Sequence, residues 1–430
     1  MRYSVISKGL NISQLQDEVK RCGGRNLKVA AASKQIFCDL DDAGKDKLKA
    51  IPGLVVKDIQ RVGTDQRVGV PEERVPAPVP VGQPIYGSGR AGMLATLFQA
   101  RHSFSPPITG EGYNIAILDT GIRSSHRGLR DKVVYEANFT SSPTVEDVFN
   151  HGTAVAWVAV GGRDVEGEEQ GLAPGARVMN IKVLDDDGSG TTESVVLGIE
   201  HVIKLREEHP GLDDPLRPGC INLSLGSEDT GDPDDPLRVA CRALIDYGTG
   251  AVASCGNSGP NPGTITSPAC DPLVIGIGSI TPETFEVSSF SSRGPTKEGI
   301  IKPDVVYFGE NLLLASCESD EAFVIKSGTS FSAPMGPAML SLVRETAMKV
   351  FGITEMMGLE DWLAFAPTVS VKPEGAPAEK DNAYGFGLPY GNLIVEKMRP
   401  TYAAMIPDVS GILAIGLLGM MGASMAKALK

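Results

Sequence analysis

The sequence predicts an α/β domain built on a mostly parallel sheet, preceded by a small α+β domain. Three observations carry that prediction. From residue 113 onward, short uninterrupted apolar runs alternate with helical stretches. Residues 3–60 alternate strand-like and helix-like patterns in the order βαββαβ. A segment rich in Pro and Gly separates the two regions. Uninterrupted apolar strands mark a sheet buried on both faces, and strand-helix alternation marks an α/β layer arrangement. A chain of 430 residues, 42% hydrophobic, has room for two or three domains and a large core. Its net charge of −13 argues against a nucleic-acid partner.

In chain order, Tyr3-Ser4-Val5-Ile6-Ser7 reads as a strand and Ser13 to Lys20 as a helix ending at Gly23-Gly24. Leu27 to Leu40 reads as two strands, Asp41 to Ala50 as a second helix, and Gly53-Leu54-Val55-Val56 as a last strand. That order suits one small sheet with two helices on a single face. Pro71, Pro76, Pro78, Pro80 and Pro84, with Gly82, Gly87 and Gly89, make residues 62–105 an extended linker and activation segment. The larger domain's strands are read at 113–118, 178–184, 220–224, 250–254 and 273–277, with helices at 190–206 and 236–247. An active site in such a domain lies beyond the C-terminal strand ends. Asp119 directly follows its strand.

Three motifs follow one another: Asp-Thr-Gly at Asp119, His-Gly-Thr at His151, and Gly-Thr-Ser-Phe-Ser-Ala-Pro around Ser330. Serine attacks an amide only when a base takes its proton, and imidazole is the side chain best matched to that near pH 7. A buried carboxylate fixes the ring tautomer. Taken singly, each motif has another reading. Asp-Thr-Gly also occurs in two-aspartate sites, but those need a second carboxylate motif, and no second Asp-Thr-Gly is present. His151 alone reads as a structural histidine and Ser330 alone as a helix N-cap.

With these motifs in the order Asp, His, Ser, the chain resembles the subtilisin-like serine proteases from about residue 106 to 398. The resemblance implies a three-layer domain with Asp119, His151 and Ser330 as catalytic triad. It implies Asn257 as oxyanion donor, the other reading being a turn asparagine. Ser224, Leu225 and Gly226 would receive an extended substrate, and Ser254, Cys255 and Gly256 would wall the pocket before the cut. Cys255 would then expose its site to thiol reagents. Phe290-Ser291-Ser292-Arg293-Gly294-Pro295 matches a structural segment of the family. After Val306 the family's usual Ala-Pro-Gly is replaced by Tyr307-Phe308-Gly309, a loop expected near the cleft or a partner surface.

By element order and position, the N-terminal region (1–61) resembles the ferredoxin-like prodomain of many such proteases, the other reading being an unrelated small docking domain. That implies a zymogen whose own N-terminal domain inhibits it, cut between about residues 58 and 105, with candidate sites near Gln60, Arg67 and Tyr86. The competing readings are a catalytically silent scaffold relative and a peptide ligase or cyclase using the same acyl-enzyme. Polypeptides are the expected substrates. No cofactor is required. The family leaves room for structural calcium, but Asp185-Asp186-Asp187-Gly188 and Gly231-Asp232-Pro233-Asp234-Asp235 lack a spaced ligand pattern and read as solvated loops. No metal site is assigned.

Seven cysteines without paired spacing read as reduced buried thiols, with one disulfide as the alternative. His102, His126, His201 and His209 read as surface residues. No secretory signal is seen at the N-terminus, so a cytoplasmic location is expected. The tail, 399–430, contains an uncharged run from Val409 to Ala426 that just reaches membrane-spanning length and holds Gly411, Gly416, Gly419 and Gly422. Its readings are membrane attachment, self-association, docking on protein and removal during maturation.

Overall fold

The computed structural model describes residues 1–64, 73–75, 86–87, 107–162, 171–351 and 359–398. The hydrophobic tail, His102 and most of the linker lie outside the described residues. Among the described residues, no helix is long and apolar enough to cross a membrane.

The N-terminal unit runs β1 (Arg2–Ser7), α1 (Ile12–Arg21), β2 (Arg25–Ala30), β3 (Gln35–Asp39), α2 (Asp42–Lys49) and β4 (Leu54–Asp58). Its strands form an antiparallel sheet in the order β2-β3-β1-β4. Helix α1 starts slightly earlier than its periodicity suggests because Asn11 and Gln14 form a reciprocal capping box. Asp41 caps α2 through the Gly44 N–H. Strand alternation divides β3 between two cores. Ile36 and Cys38 pack with Leu15, Val19 and Leu48 of the helices, whereas Phe37 enters a core of the larger domain.

The larger domain holds β6 (Asn114–Asp119), β7 (Val133–Asn138), α3 (Gly152–Val160), β8 (Arg177–Lys182), β9 (Ser189–Thr191) and α4 (Thr192–Glu208). It continues with β10 (Pro218–Leu223), α5 (Pro236–Asp246), β11 (Gly250–Ser254), β12 (Ile275–Ile280) and β13 (Val305–Phe308). A hairpin of β14 (Leu312–Ala315) and β15 (Phe323–Lys326) leads to α6 (Thr329–Ser332) and α7 (Met335–Phe351). β5 (Arg61–Gly63) precedes them all and belongs to the site.

The central sheet has seven parallel strands in the order β13-β12-β11-β10-β6-β8-β7. Both faces are covered. Ile115 and Ile117 face the core made with α3 and α7; Ala116 and Leu118 face the core made with α4 and α5. This is a three-layer α/β domain, with the candidate residues at the C-terminal strand edge. Within the expected linker, Glu73–Val75 pairs with β15 and Tyr86–Gly87 with β14.

Several expectations change. His126 is fully buried, edge-on to Trp157 and Phe323, with Nε2 3.0 Å from the Ala322 carbonyl. Burial lowers its pKa, so the ring is a neutral core element. His201 is half-buried against Tyr135 and His209 pairs with Asp214. Tyr307-Phe308 is no cleft loop: both residues lie in β13, buried. The second acidic cluster is not simply solvated. Asp235 is buried as the cap of α5, while Asp232 and Asp234 bind lysines of the N-terminal unit.

That unit docks through α4 and α5. Glu193 takes the Arg2 guanidinium at 2.6 and 3.1 Å and Lys28 at 2.8 Å. Glu200, two turns further on the same face, accepts from the N–H groups of Ala32 (2.9 Å) and Ser33 (2.8 Å) and from the Ser33 hydroxyl (2.6 Å). Lys8 pairs with Asp234 at 2.6 Å and Lys57 with Asp232. At the centre, buried Gln35 donates to the Pro236 carbonyl at 3.0 Å, beside Phe37.

Candidate active site

Asp119 ends β6 and His151 opens α3, and the two side chains meet. His151 Nδ1 lies 2.8 Å from Asp119 Oδ1, both groups out of contact with solvent. The approach depends on glycine. A Cβ at Gly152 would collide with the Gly121 carbonyl, and Gly121 holds a positive φ of 106° against the backbone of Val145 and Glu146. The Asp-Thr-Gly and His-Gly-Thr motifs therefore interlock as backbones as well as side chains.

Asp147 ties this junction together, a role no motif announced. It accepts from the Thr120 hydroxyl (2.9 Å) and from the N–H groups of Phe149, Asn150 and Thr153. The Thr120 hydroxyl in turn accepts from Gly152 N–H at 3.0 Å. Buried Lys182 donates to the Thr120 and Glu146 carbonyls and pairs with Asp186 at 3.0 Å. A carboxylate four residues before a histidine motif was the available signal, but acidic residues are common in loops.

Ser330 sits in α6, nearly buried, with Phe331 against the His151 ring at a centroid distance of 5.4 Å. Its hydroxyl donates a long bond, 3.4 Å, to the Ser224 carbonyl. The Ser224 hydroxyl answers by donating to the Ser330 carbonyl at 2.7 Å. His151 Nε2 is buried with no hydrogen-bond partner among the described residues. A buried polar atom left unpaired is costly, and here it is the lone pair a base would use. The Ser330 N–H lies in a first helical turn, where donors lack partners within the helix.

Asn257 is held beside this turn. Its Oδ1 accepts from Thr329 N–H (2.8 Å) and the Thr329 hydroxyl (2.9 Å), which fixes the orientation of the amide beside the turn. Gly328 needs to stay small: a Cβ there would come within 3.3 Å of Asn257 Nδ2. The Phe290–Pro295 segment buttresses this loop, with Ser292 N–H donating to the Gly256 carbonyl at 2.9 Å and the Ser292 hydroxyl accepting from Ser258 N–H at 3.1 Å. Gly309 supports the other side by accepting from Gly328 N–H at 2.7 Å.

Ser224, Leu225 and Gly226 run past the serine, and Ser254, Cys255 and Gly256 follow β11. Gly256 has a φ of 103°, and its missing side chain is replaced by Thr266 and Ser292, whose atoms a Cβ would meet at 2.8–2.9 Å. Cys255 does not offer its thiol to a pocket. It is fully buried in the core with Ala253 and Ile265, its sulfur facing Gly276. All seven cysteines are buried and none forms a disulfide. Burial pushes the Cys270 and Cys317 thiols up to about 12 and Cys38 to about 11, leaving them protonated and poor nucleophiles. No cluster of three or more His, Cys, Asp or Glu suited to a metal occurs among the described residues.

A strand already lies in the groove. β5 pairs antiparallel with β9, Gly63 opposite Ser189 and Val62 opposite Gly190. On its other side Gly63 N–H donates to the Gly226 carbonyl (3.2 Å) and Gly226 N–H to the Gly63 carbonyl (3.1 Å). Thr64 N–H continues the ladder to the Gly188 carbonyl at 3.2 Å. Val62 is fully buried there.

Comparison with known proteins matches residues 110–387 to the family described as the subtilase family. The chain is 31% identical over 291 residues to serine protease AprX of Bacillus subtilis (strain 168), covering 61% of this chain and 64% of that protein. It is 31% identical to subtilisin of Bacillus sp. (strain TA39), covering 52% of this chain and 54% of that one. The major intracellular serine protease of Bacillus subtilis (strain 168) is 28% identical, over 58% of this chain and 73% of its own length. The chain thus spans less than two thirds of the first two relatives.

Proposed function

The chain belongs to the subtilase family, and on that premise we propose that it is a serine endopeptidase made as a self-processed zymogen. The observation that carries this reading is the buried Asp119–His151 contact in front of the Ser330 turn. Asp119 orients the ring so that Nε2 carries the lone pair. That nitrogen takes the Ser330 proton as Oγ attacks the scissile carbonyl, then returns it to the leaving amine. Asn257 Nδ2 and the Ser330 N–H receive the charge that builds on the carbonyl oxygen. Water then hydrolyses the acyl-enzyme.

Substrates are extended polypeptides. The groove already binds a strand through backbone bonds to Gly188 and Gly226, which supply affinity with little demand on sequence. The N-terminal unit is the inhibitor, because β5 occupies the groove and the docking contacts hold it there at high effective concentration. A fluorophosphonate probe tests the chemistry. It should label the mature wild-type chain and leave Ser330→Ala unlabelled. A wild-type chain that never labels, even with the N-terminal unit removed, overturns the reading.

A further inference from the structure

Lys182 is the last residue of β8 and pairs in register with Asp119, the last residue of β6. Residues paired on neighbouring strands send their side chains to the same face of the sheet. The Lys182 ammonium therefore stands on the side of the Asp119 carboxylate, and it is fully buried. Its Nζ donates to the Thr120 carbonyl and, at 3.2 Å, to the Glu146 carbonyl, and it pairs with Asp186 at 3.0 Å. Thr120 belongs to the loop that carries Asp119, and Glu146 to the loop that delivers His151. We propose that Lys182 is a positioning residue of the reaction: one ammonium, fixed to the central sheet, joins these two loops and sets the angle at which Asp119 meets His151.

That angle is sensitive because of how Asp119 is held. Among the described residues its carboxylate is bonded through Oδ1 alone, to Thr120 N–H at 2.7 Å and His151 Nδ1 at 2.8 Å, while Oδ2 is buried with no hydrogen-bond partner. Its aim therefore follows the backbone of residues 119–121. Gly121 lies so close to Val145 and Glu146 that a Cβ there would collide with both. A shift of either loop thus moves the other. Asn180, two residues before Lys182 and on the same face, adds a bond to the Val145 carbonyl at 3.0 Å. Asp147 also ties the loops together, but it sits in one of them and moves with it. A strand is a firmer reference than a loop.

Burying an ammonium is costly, and a well-packed apolar side chain of similar volume often serves stability as well. The counter-charge, Asp186, has a side chain 39% exposed, a weak offset for desolvating the lysine. What the ammonium gains there is a pair of main-chain carbonyls, one from each active-site loop. The proposal rests on the triad reading and adds to it a residue that acts through Asp119 and His151 without touching substrate.

Steady-state hydrolysis of a chromogenic peptide tests this, with each full-length variant brought to the same maturation by a tagged wild-type chain that is then withdrawn. Lys182→Met keeps an unbranched side chain and removes the donor. Its kcat should fall about a hundredfold, the scale of a displacement of an ångström in the reacting groups, while KM stays within about twofold. A merely structural role would loosen the groove and raise KM; that outcome, or a wild-type kcat, overturns the proposal. Circular dichroism reports whether Lys182→Met folds. If it does not, Asp186→Asn decides, because it leaves Lys182 in place and removes only the charge of its exposed partner. Its kcat should fall about two- to fivefold at constant KM, and an unchanged kcat overturns the assignment. Ser330→Ala separates this role from the mechanism beneath it. A Ser330→Ala chain that still hydrolyses the peptide overturns the triad reading itself. An inert one beside a fully active Lys182→Met overturns only the role of Lys182.

Discussion

The two domains complete their cores in different ways. The central sheet of the larger domain is covered on both faces by helices of that same domain. The N-terminal sheet has helices on one face only, and its other face places Ala30 and Phe37 in the larger domain's core. A unit of about 60 residues buries too little surface to be robust alone, and this one leaves an aromatic ring unburied until it docks. The difference teaches that the small unit completes its packing only by docking; on the proposed zymogen reading, its folding and its inhibition of the large domain would then be one event.

The largest effect should come from removing the chemistry without touching the docking. Ser330→Ala should lower peptide hydrolysis by about 10⁵-fold or more, read with a chromogenic peptide. Binding of the isolated N-terminal unit should be unchanged; weakened binding would show that the two regions are not separable.

On the proposed mechanism the Asn257 amide meets charge that exists mainly in the transition state, so Asn257→Ala should lower kcat by about 10²–10³-fold with KM nearly constant. A raised KM with kcat intact would move Asn257 from the chemistry to substrate binding.

Phe37→Ala tests the shared core. Truncating a buried Phe costs about 3–5 kcal/mol, so inhibition in trans should weaken by at least about a hundredfold. Circular dichroism of the isolated unit should show little structure before mixing and a gain on docking.

Arg2→Ala is the mildest change. It removes a bidentate contact to Glu193 and should weaken inhibition about tenfold and flatten its salt dependence. The same contact predicts a pH dependence. Burial alone would raise the Glu193 pKa, but hydrogen bonds and charge from Arg2 and Lys28 outweigh it, and the net shift is downward. A carboxyl depressed in the docked state contributes fully above the ordinary carboxylate range. That contribution fades as pH falls through the lowered value. Inhibition should therefore loosen in acid, measured as a rising Ki below about pH 4.

Much of the fold was legible because period and punctuation agree along the chain. Continuous runs such as 113–118 gave the buried strands, and the βαββαβ order gave the small sheet. Asp119 and His151 could be paired from motif order, and the structure brings them together. What sequence could not supply was side-chain direction across domains. Phe37 alternates correctly, but nothing local says that its face meets another domain. Glu193 and Glu200, seven apart on a helix, share a face, yet that spacing looks like an ordinary solvated face until Arg2 and Ser33 arrive. His126 was misplaced for the same reason: its partners, Trp157 and Phe323, are distant in sequence. The Cys255 thiol turned toward the core because Gly276 leaves it space.

The seven enclosed thiols give the molecule an internal reporter. Cys22 and Cys38 belong to the small domain and the other five to the large one. An alkylating reagent can reach any of them only when the surrounding structure opens. Peptide mapping after a timed pulse of reagent would give two independent opening clocks from a single unmodified chain. The clock at Cys22 and Cys38 should speed up once the small domain is released from its groove, while that at Cys220 and Cys241 keeps its pace.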